Sequence, residues 1–155
     1  MEAFSGEYVS SSAIRKLLLQ GNVEKAAKLL GRPYELCGNV VDGYKVGRTI
    51  GFPTANLCPE KGKLIPAPGV YAVWVILPNG DRHKGMLNIG NRPTLDNGDG
   101  ISIEVHLLHF KGDLYNQPLR LLFGNRVRDE HRFGSLEELR LQLRQDAVSA
   151  ELLLG

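Results

Sequence analysis

The segment from Gly43 to Leu57, GYKVGRTIGFPTANL, gathers groups suited to a polyphosphate. Gly43, Gly47 and Gly51 recur at four-residue spacing, Lys45 and Arg48 sit between them, and Pro53-Thr54-Ala55-Asn56 closes the run. Glycine frees the backbone for positive φ and lets a second group approach closely. Exposed N–H groups with cations beside them cradle phosphate oxygens. Thr54 and Asn56 add neutral oxygens behind a proline that stiffens the chain. Such hard ligands suit Mg²⁺ when phosphates bring the negative charge. A nucleoside triphosphate is the expected ligand, and no P-loop is involved, because GxxxxGK[ST] does not occur. Pro-Thr-x-Asn is equally a turn closed by side-chain-to-backbone hydrogen bonds. Its attachment to the glycine loop moves the site reading ahead.

Glu104 is the second candidate. In Ile101–Leu107, apolar Ile101, Ile103, Val105 and Leu107 alternate with Ser102, Glu104 and His106, which puts the acid on the polar face of a strand. Pattern alone favours a solvated outer face. The functional alternative is a carboxylate that takes a proton from an attacking hydroxyl, the one chemical group phosphoryl transfer asks for beyond positioning and charge neutralisation. Arg128, Asp129, Glu130, His131 and Arg132 form a mixed charge cluster before the last helix, ordinarily a solvated face. His106 and His109, three apart on a strand, point to opposite faces, so zinc is not expected. Tyr71 and Trp74 read as core or rim aromatics.

These groups need elements to hold them. Ser10, Ser11 and Ser12 offer N-caps to a first helix containing Ile14, Leu17 and Leu18. Asn22 caps a second, Val23 to Leu30, ended by Gly31 and Pro33. Two such short helices cannot fold alone, so they are the tail of something else or a prop for the strands after them. Strands are expected at Leu36–Asp42, Val70–Leu77, Arg82–Ile89, Ile101–Leu107 and Leu119–Phe123. Asn79-Gly80 predicts a type I′ hairpin turn, Asp96–Gly100 a loop and Lys111–Asp113 a turn. A C-terminal helix opens with a capping box, Ser135 and Glu138, and carries the stripe Leu136, Leu139, Leu143, Ala147, Ala150. Short antiparallel strands followed by one amphipathic helix predict a mainly β protein, a small barrel with a helix packed on it.

Composition excludes several classes. With 155 residues, 43% hydrophobic and 23% charged, the chain suits one ordinary soluble domain with a small appendage. A net charge of +2, with basic residues interleaved among acidic ones, argues against nucleic acid. The longest apolar run, Val70–Leu77, is too short for a bilayer, and Met1–Ser12 lacks the charged and apolar regions of a signal peptide. Cys37 and Cys58 have no metal spacing. The expectation is a cytoplasmic, soluble protein with no membrane partner.

In order along the chain, GYKVGRTIGFPTANL, GVYAVWV (Gly69–Val75), NIGNRPT (Asn88–Thr94), IEVHLLHFKGDLY (Ile103–Tyr115) and RVRDEHRFGSLEEL (Arg126–Leu139) resemble the riboflavin kinase module of bacterial bifunctional FAD synthetases. The resemblance covers Tyr34 to the C-terminus. It implies a six-stranded Greek-key barrel with a C-terminal helix over residues 34–155, and transfer of phosphate from ATP to the terminal ribityl hydroxyl of riboflavin, giving FMN and ADP. It implies that Gly43, Lys45, Gly47, Arg48, Gly51 and Pro53 serve ATP, with Thr54 and Asn56 holding Mg²⁺ and phosphate oxygens. Glu104 becomes the base, and Phe52, Arg128 and Glu130 lie near the flavin. His109 stands where the family more often has Asp, and Asn116 where it usually has Gly, so altered turn geometry is expected.

Val9–Tyr34 is similar to the end of the adenylyltransferase module of the same enzymes, with Arg15 in an SSxxIR-like stretch that contacts the ATP triphosphate there. Residues 1–33 are thus expected to be a helical remnant of that module. The rest of the module is not in this sequence, so FAD formation is not expected from this chain alone, and the missing module is a possible partner. A non-catalytic flavin- or nucleotide-binding module of a larger synthetase is the alternative; PTAN together with Glu104 argues against it.

Overall fold

A computed structural model of the chain describes residues 11–41, 54–91, 101–110 and 114–155. Gly43, Lys45, Gly47, Arg48, Gly51, Phe52 and Pro53 lie outside them, as do the Asp96–Gly100 loop, the Lys111–Asp113 turn and Ser10.

The described elements are α1 (Ser11–Leu19), α2 (Val23–Leu30), β1 (Glu35–Val41), β2 (Ala55–Pro59), β3 (Gly69–Ile76), β4 (Arg82–Asn91), β5 (Ile101–Leu107), β6 (Pro118–Arg128) and α3 (Leu136–Leu154). The six strands close into an antiparallel barrel in the order β1-β2-β5-β4-β3-β6. Closure gives each described strand a neighbour on both sides.

Period-two alternation fills the barrel. Leu36, Leu57, Tyr71, Val73, Leu87, Ile89, Ile103, Val105, Leu119, Leu121 and Phe123 are all at most 5% exposed and form one cluster, with Tyr71 meeting Phe123 edge-on at 5.2 Å. Each such side chain contributes about 1.5–3 kcal/mol by leaving water. The outer face of β3 and β4 is covered by α3, where Ala72 and Met86 pack against Ala150, with Leu143, Ala147 and Leu154 around them.

The N-terminal helices act as a prop. Leu18, Val23 and Ala26 join the barrel's own core. Glu24 accepts a hydrogen bond from the Arg126 backbone N–H at 3.1 Å, and the guanidinium of Arg126 fills the space that side chains at Gly21 and Gly69 would occupy. Asn22 caps α2 by accepting from Lys25 N–H, and Gly31 ends it at φ 78°.

Several local readings change. The hairpin between β3 and β4 is where Asn79-Gly80 placed it, but Asn79 is not among the positive-φ residues, and the Gly80 N–H bonds Leu77 O at 2.9 Å. The turn therefore starts at Leu77 and puts Pro78 second, where its ring-fixed φ belongs, leaving only Gly80 left-handed at φ 95°. Thr54 to Asn56 is not all loop, since β2 begins at Ala55. The last strand runs to Arg128 rather than ending at Phe123. Leu136, assigned to the buried stripe of α3, is 55% exposed, while Asp146 on the same helix is 1% exposed. The capping interaction at α3 is offset by one residue: Ser135 Oγ accepts from Glu138 N–H, but Glu138 reaches back to Gly134 N–H.

Candidate active site

Register brings the polar residues together. Asn56 of β2 pairs with Glu104 of β5, Glu104 with Asn88 of β4, Asn88 with Val70 of β3, and Val70 with Arg128 of β6. Directly paired residues present their side chains on the same face. Since the neighbouring row, Val105, Leu87 and Tyr71, is fully buried inside the barrel, this row belongs to the outer face.

A cavity of about 500 Å³ lies over that row. Its polar wall includes Thr54, Asn88, Glu104, His106, Arg128, Glu130 and His131, and its apolar wall is Val70, Met86, Leu87, Phe133, Leu139 and Leu143. The volume and the mixture of apolar surface with a few polar groups are those of a small-molecule site. Glu104 is half-buried in this wall, not on an open outer face. Asn56 stands beside it in the ladder, just outside the wall.

Strand β6 and helix α3 are locked together at the cavity's edge. Arg128 donates from Nε to Asp146 Oδ1 at 2.9 Å and to Oδ2 at 3.1 Å, and from Nη2 to Oδ2 at 2.8 Å. Gln142 Nε2 donates to Asp146 Oδ1, and Arg128 Nη1 to Asp129 O. The guanidinium also lies 5.6 Å from the Phe133 ring centroid. A polar group this buried needs several hydrogen-bond donors, and these supply them. Arg128 thus touches the cavity while its fork is engaged in fastening the wall.

The mixed cluster after β6 divides accordingly. Asp129 is exposed and pairs with Arg126, Glu130 and His131 reach the cavity rim, and Arg132 is exposed and outside the wall. The Glu130 carboxylate rests against Gly90, where a side chain would collide with it. His106 faces the cavity, whereas His109 lies past the end of β5 at φ 56° and meets Glu151 at 3.0 Å.

Among the described residues no cluster of His, Cys, Asp or Glu could hold a metal by itself. The hydroxyl of Thr54, the amide of Asn56 and the carboxylate of Glu104 are a sparse set of hard oxygens. Such a set fits Mg²⁺ that takes most of its ligands from water and substrate phosphates.

Sequence reasoning gave no role to Asn88, Met86, His106 or Phe133. Asn88 lies within the quoted NIGNRPT stretch, but only the pairing of β4 with β5 shows that it adjoins Glu104.

Fold and site together define a closed six-stranded barrel domain with a ligand cavity between its outer face and a C-terminal helix. Residues 30–154 match the family Flavokinase: Riboflavin kinase, and the chain belongs to that family. A bifunctional riboflavin kinase/FMN adenylyltransferase of Escherichia coli (strain K12) is 41% identical over 150 residues, 97% of this chain and 47% of that protein. The corresponding Haemophilus influenzae protein is 41% identical over 143 residues, 92% of this chain and 46% of that one. The chain therefore spans about half the length of these curated relatives. Among solved structures, a macrolide-efflux protein from Streptococcus pneumoniae superimposes with a TM-score of 0.88 at 36% identity, over 96% of this chain and 48% of that one. No described helix here is long and apolar enough to cross a membrane. Riboflavin kinase from Trypanosoma brucei shares the fold, with a TM-score of 0.56 at 21% identity, over 79% of this chain and 80% of that one.

Proposed function

We propose that this chain transfers the γ-phosphoryl group of ATP to the terminal ribityl hydroxyl of riboflavin, giving FMN and ADP. The observation that carries this reading, within a riboflavin kinase family member, is the carboxylate of Glu104 set in a half-buried cavity wall with amide side chains on both neighbouring strands.

The apolar wall, Val70, Met86, Phe133, Leu139 and Leu143, takes the flavin ring, and the ribityl chain runs toward Glu104. Glu104 accepts the proton of the terminal hydroxyl as its oxygen bonds to phosphorus, and the bond from phosphorus to the ADP oxygen breaks. A base so placed supplies on the order of 10²–10⁴-fold. Gly43, Lys45, Gly47, Arg48, Gly51 and Pro53 cover the phosphates, with Phe52, Arg128 and Glu130 beside the flavin. Mg²⁺ entering with ATP would be held by Thr54 and Asn56, and it supplies neutralisation of the phosphoryl charge.

The curated relatives carry an adenylyltransferase in addition, which supports a setting in which this chain works beside such a module. The family match beginning at residue 30 supports a division near residues 33/34, with the front helices derived from that module. Free thiols at Cys37 and Cys58 and the use of ATP support a cytoplasmic location.

Glu104→Gln tests the mechanism. It should cut turnover by about 10²-fold or more while riboflavin binding changes little. A mutant of near-normal rate would remove Glu104 from the chemistry.

A further inference from the structure

Asn88 is half-buried in the cavity wall, and its Oδ1 is shielded from solvent with no hydrogen-bond partner among the described residues. It is the single buried side-chain oxygen or nitrogen in that condition among them. Leaving a buried amide oxygen unpaired costs about 1–3 kcal/mol, so folded proteins keep few such groups. The residue that carries it lines the cavity, where a ligand could supply the missing donor.

Its position limits what that donor can be. Asn88 is the direct cross-strand partner of Glu104 on the same face, so the two side chains start from Cβ atoms about 5 Å apart. A neutral amide oxygen and a carboxylate carried at that spacing on one face are two acceptors that a single ligand could span. A polyol chain offers a matching pair of hydroxyl donors on carbons a short distance apart. The terminal amide torsion of Asn is broad and soft, so a modest rotation turns Oδ1 toward a ligand.

Building on the flavin kinase reading, we propose that Asn88 is a substrate-binding residue whose amide oxygen accepts a hydrogen bond from a secondary hydroxyl of the ribityl chain, holding the primary hydroxyl against Glu104. The amide cannot deprotonate the secondary hydroxyl, whereas the carboxylate can deprotonate the primary one. The pair thereby selects which hydroxyl reacts. On the ring side the wall is apolar, so the contact distinguishes the polyol and not the flavin ring.

The test compares two flavins, riboflavin and lumiflavin, which has the same ring with a methyl group in place of the polyol. Binding to wild type, Asn88→Ala and Asn88→Ser is followed by flavin fluorescence, with melting temperature as the check on folding. The expected result is about tenfold weaker riboflavin binding by Asn88→Ala, unchanged lumiflavin binding, and an intermediate value for Asn88→Ser, which keeps a short acceptor. Equal losses for both flavins, or no loss for either, would overturn the assignment and leave Asn88 a wall residue. If Asn88→Ala does not fold, the Asn88→Ser comparison decides by the same criterion. A folded wild type that binds neither flavin would instead sink the flavin reading itself, and the assignment of Asn88 with it.

Discussion

Arg128, the last residue of β6, holds both carboxylate oxygens of Asp146, a side chain 1% exposed in the middle of α3. The helix that roofs the cavity is thus fastened to the strand that borders it. Breaking one side of a buried pair strands the other charge away from water, which costs more than the pair itself contributes. Asp146→Ala should destabilise the protein by about 3 kcal/mol, a fall in melting temperature on the order of 10 °C. The double variant Arg128→Met with Asp146→Leu should recover much of that stability, because two apolar side chains replace both charges at once. A double variant no more stable than Asp146→Ala alone would show that the pair's geometry, rather than stranded charge, dominates.

Gly90 leaves room for the Glu130 carboxylate at the cavity rim. A methyl group there collides with the end of a flexible, exposed side chain and approaches Ser102 Oγ to 3.3 Å. Gly90→Ala should therefore shift Glu130 at little cost to the fold. The expected outcome is about 2–10-fold weaker flavin binding at a nearly unchanged melting temperature, the scale of one displaced hydrogen-bonding group. Intact flavin affinity would take Glu130 out of the site.

The two cysteines should differ in reactivity. Burial, then the carboxylate of Glu35 accepting the thiol proton at 3.2 Å, pushes Cys37 up from 9.0 to about 11, while Cys58 is exposed. At pH 8, iodoacetamide should modify Cys58 well before Cys37, read by mass spectrometry of peptides. A raised pKa means the neutral thiol is favoured by folding, so its contribution is complete below pH 9 and is lost as pH rises through about 11. Cys37→Ser should flatten the stability curve across that interval.

His109 and Asn116 are the non-glycine residues with positive φ among those described, at 56° and 67°. They are also the two positions at which the family resemblance led to an expectation of altered turn geometry. Asn tolerates the left-handed region, and the Asn116 N–H donates to Val40 O at 2.9 Å. Asn116→Gly should leave stability within a few tenths of a kcal/mol, and Asn116→Ala should cost about 1 kcal/mol in denaturant unfolding. An alanine variant as stable as wild type would mean the turn relaxes to negative φ.

How much of the molecule was legible in its sequence varied with the physics involved. Alternation alone placed Glu104 on the polar face of β5 with Ser102 and His106, and capping chemistry marked both ends of α2. The run of short strands before one amphipathic helix already predicted a small barrel, and the family resemblance set its strands at six. What stayed hidden depends on tertiary pairing. Thr54-Ala55-Asn56 is too short and polar to announce β2, which exists because it pairs with β1 and β5. Asp146 looks like a solvated helix residue until Arg128 arrives from another element, and Leu136 looks like a core residue although it stands 55% exposed. Asn88 needed the β4–β5 register before its position beside Glu104 meant anything.

Phosphoryl transfer to riboflavin in the cavity beneath α3 is directly measurable. Its most direct test is to incubate the chain with riboflavin, ATP and Mg²⁺ and to separate riboflavin, FMN and FAD by chromatography with fluorescence detection. FMN should form in step with ADP, at a rate lowered by about 10²-fold or more in Glu104→Gln. A folded protein that binds riboflavin yet yields no FMN would contradict the proposed reaction.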